Sequence, residues 1–352
     1  MNMNVVKYRK ERQSGVELLR IIAMFLVLLI HANAWGEKWE YLNFDHSIGK
    51  TITTILFQTL SCVCVNIFVL ISGWFGIHFS MKGLLKFLFQ CMFFLFGIYF
   101  FMIALGKTNF SISGFAGCLM FLKWNWFIKT YLVLYIMSPI LNRFMAQTNE
   151  RELRRLLILF YTFQTLYGWL TNGAAFFEYG QSVTSFVGLY LLAQYVRMYK
   201  FKRIEEYGGA KIIMLSIGMF SALFFLTLFS VFYKVDFVTG KIFAYTSPCV
   251  ILASLCLLIL FVIANKKFTN TKLNHSINQI AASSFAVFLL HTNPCVFQEY
   301  YQSFFVGLFD NYIWQLFILY SLLTMLAVYF VAVVIDQLRI FLWNKLVPLI
   351  FN

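Results

Sequence analysis

An all-α membrane protein, a single polytopic bundle of about ten transmembrane helices with both termini cytoplasmic, is the fold this sequence predicts, on three observations. Hydrophobic residues make up 61% of the 352 and charged residues only 12%, where soluble domains run near half apolar and a quarter charged. Apolar runs long enough to cross a bilayer recur along the whole chain with short polar segments between them. The net charge of +14 is the third. Threaded through ten spans, the entire positive excess falls on one side while the other side balances, as cytoplasmic retention of Lys and Arg requires. Topology therefore accounts for the basic excess and leaves no face for nucleic acid.

The elements follow in order. Residues 1–14 are a basic cytoplasmic segment with Lys7, Arg9, Lys10 and Arg12. Residues 15–335 form the transmembrane domain, and its first span, 15–36, carries Glu17, Arg20 and His31. Ionisable groups inside a span are costly enough to count as functional candidates. At 100° per residue, Arg20 and His31 return to within about 20° of one direction, roughly 16 Å apart along the axis. His31 is a group that can take a proton from a hydroxyl and return it near neutral pH. Glu17 is placed to pair with Arg20 and spare it an unpaired charge. Other readings stand beside this one: a snorkelling Arg20 with a packing His31, or a cleavable signal peptide ending at Ala32-Asn33-Ala34.

The outer loop after the first span holds Glu37, six residues past His31, which either orients the imidazole or is a solvated acid. The second span, 51–77, carries Asn66, Ser72 and Gly73; Asn66 and Gly73 share a face, and Gly73 suits a close helix contact. Lys82 and Lys86 mark a short cytoplasmic loop before span three, 84–105. Trp124 and Trp126 read as an interfacial aromatic belt at the head of span four, 124–142, and Lys129 is either a snorkelling lysine or a polar lining residue. Arg143, Arg151, Arg154 and Arg155 precede span five, 153–172; span six, 181–199, is the least apolar. Spans seven (211–233) and eight (242–264) lead to the inner cluster Lys266, Lys267 and Lys272. These clusters are explained by topology first, lipid headgroups second and phosphates of a bound donor third. Span nine, 277–297, puts Ser284 and His291 on one face, with His291 at a depth like that of His31; it either shares a cavity with His31 or hydrogen-bonds near Pro294. Span ten, 311–335, ends at Asp336, and 336–352 reads as an interfacial tail with Arg339, Trp343 and Lys345.

The seven cysteines sit in or at the ends of apolar segments without zinc spacing, and two separated histidines do not make a metal site, so no metal is expected. Cys118 and Cys295 both fall toward the outer face. The polar stretches are too short for an appended soluble domain.

An arginine, ten intervening residues and a histidine in the first span, with an acid three before the arginine, resembles the acyltransferase-3 family of integral membrane O-acyltransferases. Asn66 to Phe75, Trp126 to Pro139 and Ser283 to His291 resemble further segments of that family, so the likeness runs from about residue 15 to 335. It implies transfer of an acyl group, most often acetyl, from acetyl-CoA to a hydroxyl of a cell-envelope glycan or lipid-linked sugar, in the plasma membrane. Within it His31 stands as general base or transient acyl acceptor, and Arg20 as a holder of donor phosphate or of developing negative charge. Glu17, Glu37, Asn66, Ser72 and His291 are supporting candidates. Lys82, Lys86, Arg154, Arg155, Lys266 and Lys267 are candidates for donor phosphate. The family pattern often has arginines where this chain has Lys82 and Lys86, and lysine attracts phosphate without a bidentate fork. Two other classes compete. A transporter or flippase of lipid-linked glycan would use the same buried charges but commonly shows internal duplication, which is not evident here. A structural membrane protein in which His31 only packs would lose stability rather than activity on its removal.

Overall fold

In lipid each segment must satisfy its own backbone hydrogen bonds, and this chain does so with helices. The computed structural model describes residues 12–33, 47–119, 124–171, 176–235 and 241–351, and among these no strand occurs. The helices are α1 (Ser14–Asn33), α2 (Ile48–Ser61), α3 (Cys64–Phe75), α4 (Met81–Ala104), α5 (Ile112–Leu119), α6 (Trp126–Gln147), α7 (Glu150–Phe163), α8 (Val183–Tyr195), α9 (Phe201–Glu206), α10 (Gly209–Tyr233), α11 (Pro248–Ala264), α12 (Thr271–Ala282), α13 (Ser284–His291), α14 (Ser303–Asn311) and α15 (Trp314–Phe351). Side-chain oxygens start several of them. Ser80 accepts from Gly83 N at 3.0 Å, Asn125 from Phe127 N at 3.0 Å and Asn270 from Leu273 N at 3.1 Å, each satisfying an orphan first-turn donor.

Helical backbone occurs within each of the ten expected spans, of which residues 34–36 and 172 lie outside the described residues. Among the described residues six helices are long and apolar enough to cross a bilayer: Ser14–Asn33, Ile48–Phe75, Met81–Ala104, Gly209–Tyr233, Pro248–Lys267 and Trp314–Leu349. The other four expected segments do not meet that measure among the described residues. Boundaries differ from expectation where backbone chemistry intervenes. Span eight begins at Pro248 rather than 242, because proline lacks the N–H that a first helical residue leaves unused. Span nine starts early, at Thr271, breaks at Ser283 and stops at His291 rather than 297, three residues before Pro294. Helix α15 does not end at 335 but runs on to Phe351.

That continuation has a cause in two residues one turn apart. Asp336 is 0% exposed and Arg339 2%. Arg339 Nε and Nη2 donate to the two carboxylate oxygens of Asp336, both at 2.8 Å, and Gln90 Nε2 of α4 donates to Asp336 Oδ1 at 3.2 Å. Charges that read as marking a membrane boundary neutralise each other inside the protein and tie α15 to α4.

Helix α1 is the hub of the bundle, packed against α2, α3, α11, α12, α13 and α15. Its buried face is Val16, Leu19, Ala23, Val27 and Leu28. By contrast α10 and α15 leave Met214, Phe225, Phe229, Leu326 and Phe330 exposed, as lipid-facing helices do. The α3–α8 contact is close enough to need glycine: a Cβ on Gly73 would lie 2.5 Å from the Tyr190 carbonyl oxygen. We expect Gly73→Val to cost about 1–3 kcal/mol by overpacking, read as a lowered unfolding midpoint of the detergent-solubilised protein. Gly97→Val, where nothing lies within 4 Å, should move it little, and equal shifts in both would refute the close contact.

Candidate functional site

The C-terminal turn of α1 brings His31 beside α13, where His31 Nδ1 and His291 Nε2 stand 2.8 Å apart. His291 is 1% exposed, and its Nδ1 lies 2.6 Å from the Val287 carbonyl oxygen. A carbonyl only accepts, so His291 Nδ1 carries a proton and donates it to Val287. In the neutral ring Nε2 is then the acceptor, so His31 Nδ1 must donate to it. His31 Nε2 is left with the lone pair. The hydrogen-bond chain thus selects one tautomer for each ring, and the basic nitrogen of the pair is on His31.

Aromatic rings enclose the pair. Phe297 meets His31 edge-on with centroids 5.2 Å apart, and Tyr301 lies 5.1 Å from His291. Tyr301 also donates its hydroxyl to Leu28 O at 2.8 Å, anchoring this wall to α1.

His31 lines a cavity of about 570 Å³ that follows α1. Arg12 and Arg20 line it from the N-terminal side of α1, and Lys86 from the start of α4. Arg12 and Lys86 are exposed, so the basic end meets water. At the His31 end the wall includes Trp126, Gln181 and Tyr245. No Asp or Glu lines it among the described residues, so its charge is positive and concentrated at one end.

The sequence-based candidates separate accordingly. Arg20, His31, Ser72 and Lys86 share the cavity wall, and His291 stands behind His31. Glu17 lies 3.0 Å from Arg20. Ser72 Oγ is 2.9 Å from Phe68 O and 3.1 Å from Tyr131 OH, a hydroxyl pair facing the cavity. Asn66 is fully buried and donates to Tyr245 O at 3.0 Å, outside the cavity lining. Glu37 lies outside the described residues. Arg154 and Arg155 line a separate surface groove with Glu150 and Glu152. Lys266 pairs with Glu205 at 2.6 Å, and Lys267 and Lys82 are exposed away from the cavity lining. Among the described residues no group of three His, Cys, Asp or Glu side chains is placed to hold a metal ion, and Cys62, Cys64, Cys91, Cys249 and Cys256 are free thiols.

Sequence reasoning missed Tyr131, Gln181 and Tyr245 as cavity residues. Tyr131 lay inside a quoted segment and Gln181 in the least apolar span, but Tyr245 had no signal in a chain that is 20% aromatic. Arg12 was read only as topological charge, and Trp126 only as an interfacial anchor.

A family model described as an acyltransferase domain matches residues 13–336, from the residue before α1 to the buried Asp336. No curated protein and no solved structure matches the chain.

Proposed function

The chain belongs to the acyltransferase-3 family, and from that premise we propose that it moves an acyl group, acetyl in the simplest case, from a coenzyme A thioester to a glycan hydroxyl at a cell membrane. The observation that carries this reading is the His31–His291 pair at the wall of a cavity whose other end is basic. A thioester is already activated, so the protein needs a base for the hydroxyl, cations for the donor and a path between them.

His31 Nε2 takes the proton of the acceptor hydroxyl as its oxygen attacks the thioester carbonyl. The tetrahedral intermediate collapses, the carbon–sulfur bond breaks, and the departing thiolate takes the proton back from the imidazolium. His291 holds the His31 ring in the tautomer that keeps Nε2 basic, acting through His31 as a positioning residue. Arg20 is separated from His31 by roughly 16 Å of helix, too far to reach the carbonyl that His31 serves. Holding donor phosphate is therefore its fitting role, with Lys86 and Arg12 beside it at the open end and Glu17 restraining its rotamer. The acyl arm of the donor then extends along the cavity toward His31.

The test is mass spectrometry of surface glycan from cells carrying wild-type protein or Arg20→Ala at equal membrane abundance, with kinetics on isolated membranes. Loss of a charge-assisted phosphate contact, about 1.5–3 kcal/mol, should raise the donor KM about 10- to 100-fold with a smaller change in kcat. A wild-type protein that adds no acyl mass to any glycan would overturn the reading in favour of glycan transport.

A further inference from the structure

The His31 end of the cavity is built with more care than a passage needs. Trp126, Gln181 and Tyr245 are each half-buried there, and the Trp126 and Tyr245 rings stand 6.4 Å apart, tilted by 33°. Several contacts fix them. Asn66 Nδ2 donates to Tyr245 O at 3.0 Å, and Thr130 Oγ1 donates to Gln181 O at 3.0 Å. Trp126 opens α6 next to its Asn125 cap and packs edge-on against Phe186, centroids 6.2 Å apart.

The segment leading into Gln181 is strained. Glu178, Tyr179 and Gly180 have φ of 44°, 55° and 97°, three left-handed residues in succession. For a non-glycine residue that conformation costs about 1–3 kcal/mol and persists only where the surroundings over-determine it. Gly180 shows what determines it here: a Cβ at this position would lie 2.4 Å from Tyr245 Cβ. The turn closes hard against Tyr245 and delivers Gln181 to the cavity wall.

Building on the acyl-transfer reading, we propose that Trp126, Tyr245 and Gln181 form the acceptor subsite and that it takes a pyranose ring. A sugar ring has apolar C–H faces and a rim of hydroxyls. Two tilted aromatic rings suit the faces, and the Gln181 carboxamide can both donate to and accept from the rim. A phosphate would call for a cation, and the cavity's cations, Arg12, Arg20 and Lys86, lie at the opposite end. An alkyl alcohol would gain nothing from the amide. Successive ring contacts join the subsite to the base: Trp126 to Phe127 at 5.9 Å, Phe127 to Phe288 at 5.4 Å and Phe288 to His31 at 6.4 Å.

The experiment uses the full chain purified in detergent as wild type, Trp126→Leu and Gln181→Ala. Each is applied to an array of oligosaccharides of neutral hexoses, N-acetylhexosamines and uronic acids. In parallel, equilibrium binding of acetyl-CoA to the wild type reports on the basic end. The expected result is that wild type binds at least one carbohydrate class and that each variant weakens it by at least tenfold. Gln181→Ala alters only a turn side chain, so it decides the matter if Trp126→Leu does not purify as a monodisperse protein. Wild type that binds acetyl-CoA and no carbohydrate, or carbohydrate binding unchanged in Gln181→Ala, overturns the subsite and leaves the acyl-transfer reading standing. Carbohydrate binding that depends on Trp126 and Gln181 without any acetyl-CoA binding supports the subsite and counts against the transferase reading instead.

Discussion

Replacing His31 with alanine is expected to lower acyl transfer by about a hundred- to ten-thousand-fold, the range a positioned general base contributes, with the protein still inserted and abundant. The expectation comes from the hydrogen-bond chain. His291 donates to Val287 O, so His31 donates to His291, and the one free lone pair of the pair belongs to His31 Nε2. His31→Gln keeps a side chain that can donate to His291 but has no basic nitrogen, so it should fall as far as His31→Ala. His291→Gln should keep part of the rate while altering its dependence on pH, because the His31 base survives but its tautomer and proton affinity are no longer set by an imidazole. Transfer assays on isolated membranes across pH, normalised to protein abundance, distinguish these outcomes. Undiminished transfer by His31→Gln would remove His31 from the mechanism.

The second large effect is on stability. Asp336→Ala leaves Arg339, 2% exposed, without its bidentate partner. Removing one member of a buried pair costs about 3–5 kcal/mol, because an uncompensated charge stays in a low-dielectric site. The detergent-solubilised variant should unfold at a clearly lower temperature than wild type. Asp336→Leu combined with Arg339→Met should recover much of the loss, since replacing both charges by apolar side chains avoids the desolvation cost. If the single substitution leaves the midpoint unchanged, the pair does not hold α15 to α4.

The two results together separate what was legible in the sequence from what was not. Arg20 and His31 were legible because charged groups stand out in an apolar run and helical geometry puts them on one face. His291 was legible as a histidine at matching depth. Whether its ring met His31 or hydrogen-bonded near Pro294 was open, because the choice depends on how α13 is rotated against α1. Asp336 and Arg339 were misread as boundary charges for a related reason. A pair one turn apart looks the same from sequence whether it faces water or a neighbouring helix. Lys266 and Arg154 illustrate the converse: they had the right charge for a donor phosphate, but folding sets one against Glu205 and the other in a separate groove.

The sequence by itself determined the helical membrane class, the first span as the organising element and the shared face of Arg20 and His31, because these follow from composition and the 3.6-residue period. Only the tertiary structure decided that His31 meets His291, that Lys86 joins Arg20 at one cavity, and that Trp126, Gln181 and Tyr245 meet at its other end. Those pairings join residues 55 to 260 positions apart in the chain or set a helix against a strained turn. Periodicity assigns a residue to a face of its own helix; which neighbour that face meets is settled by close packing of the whole bundle.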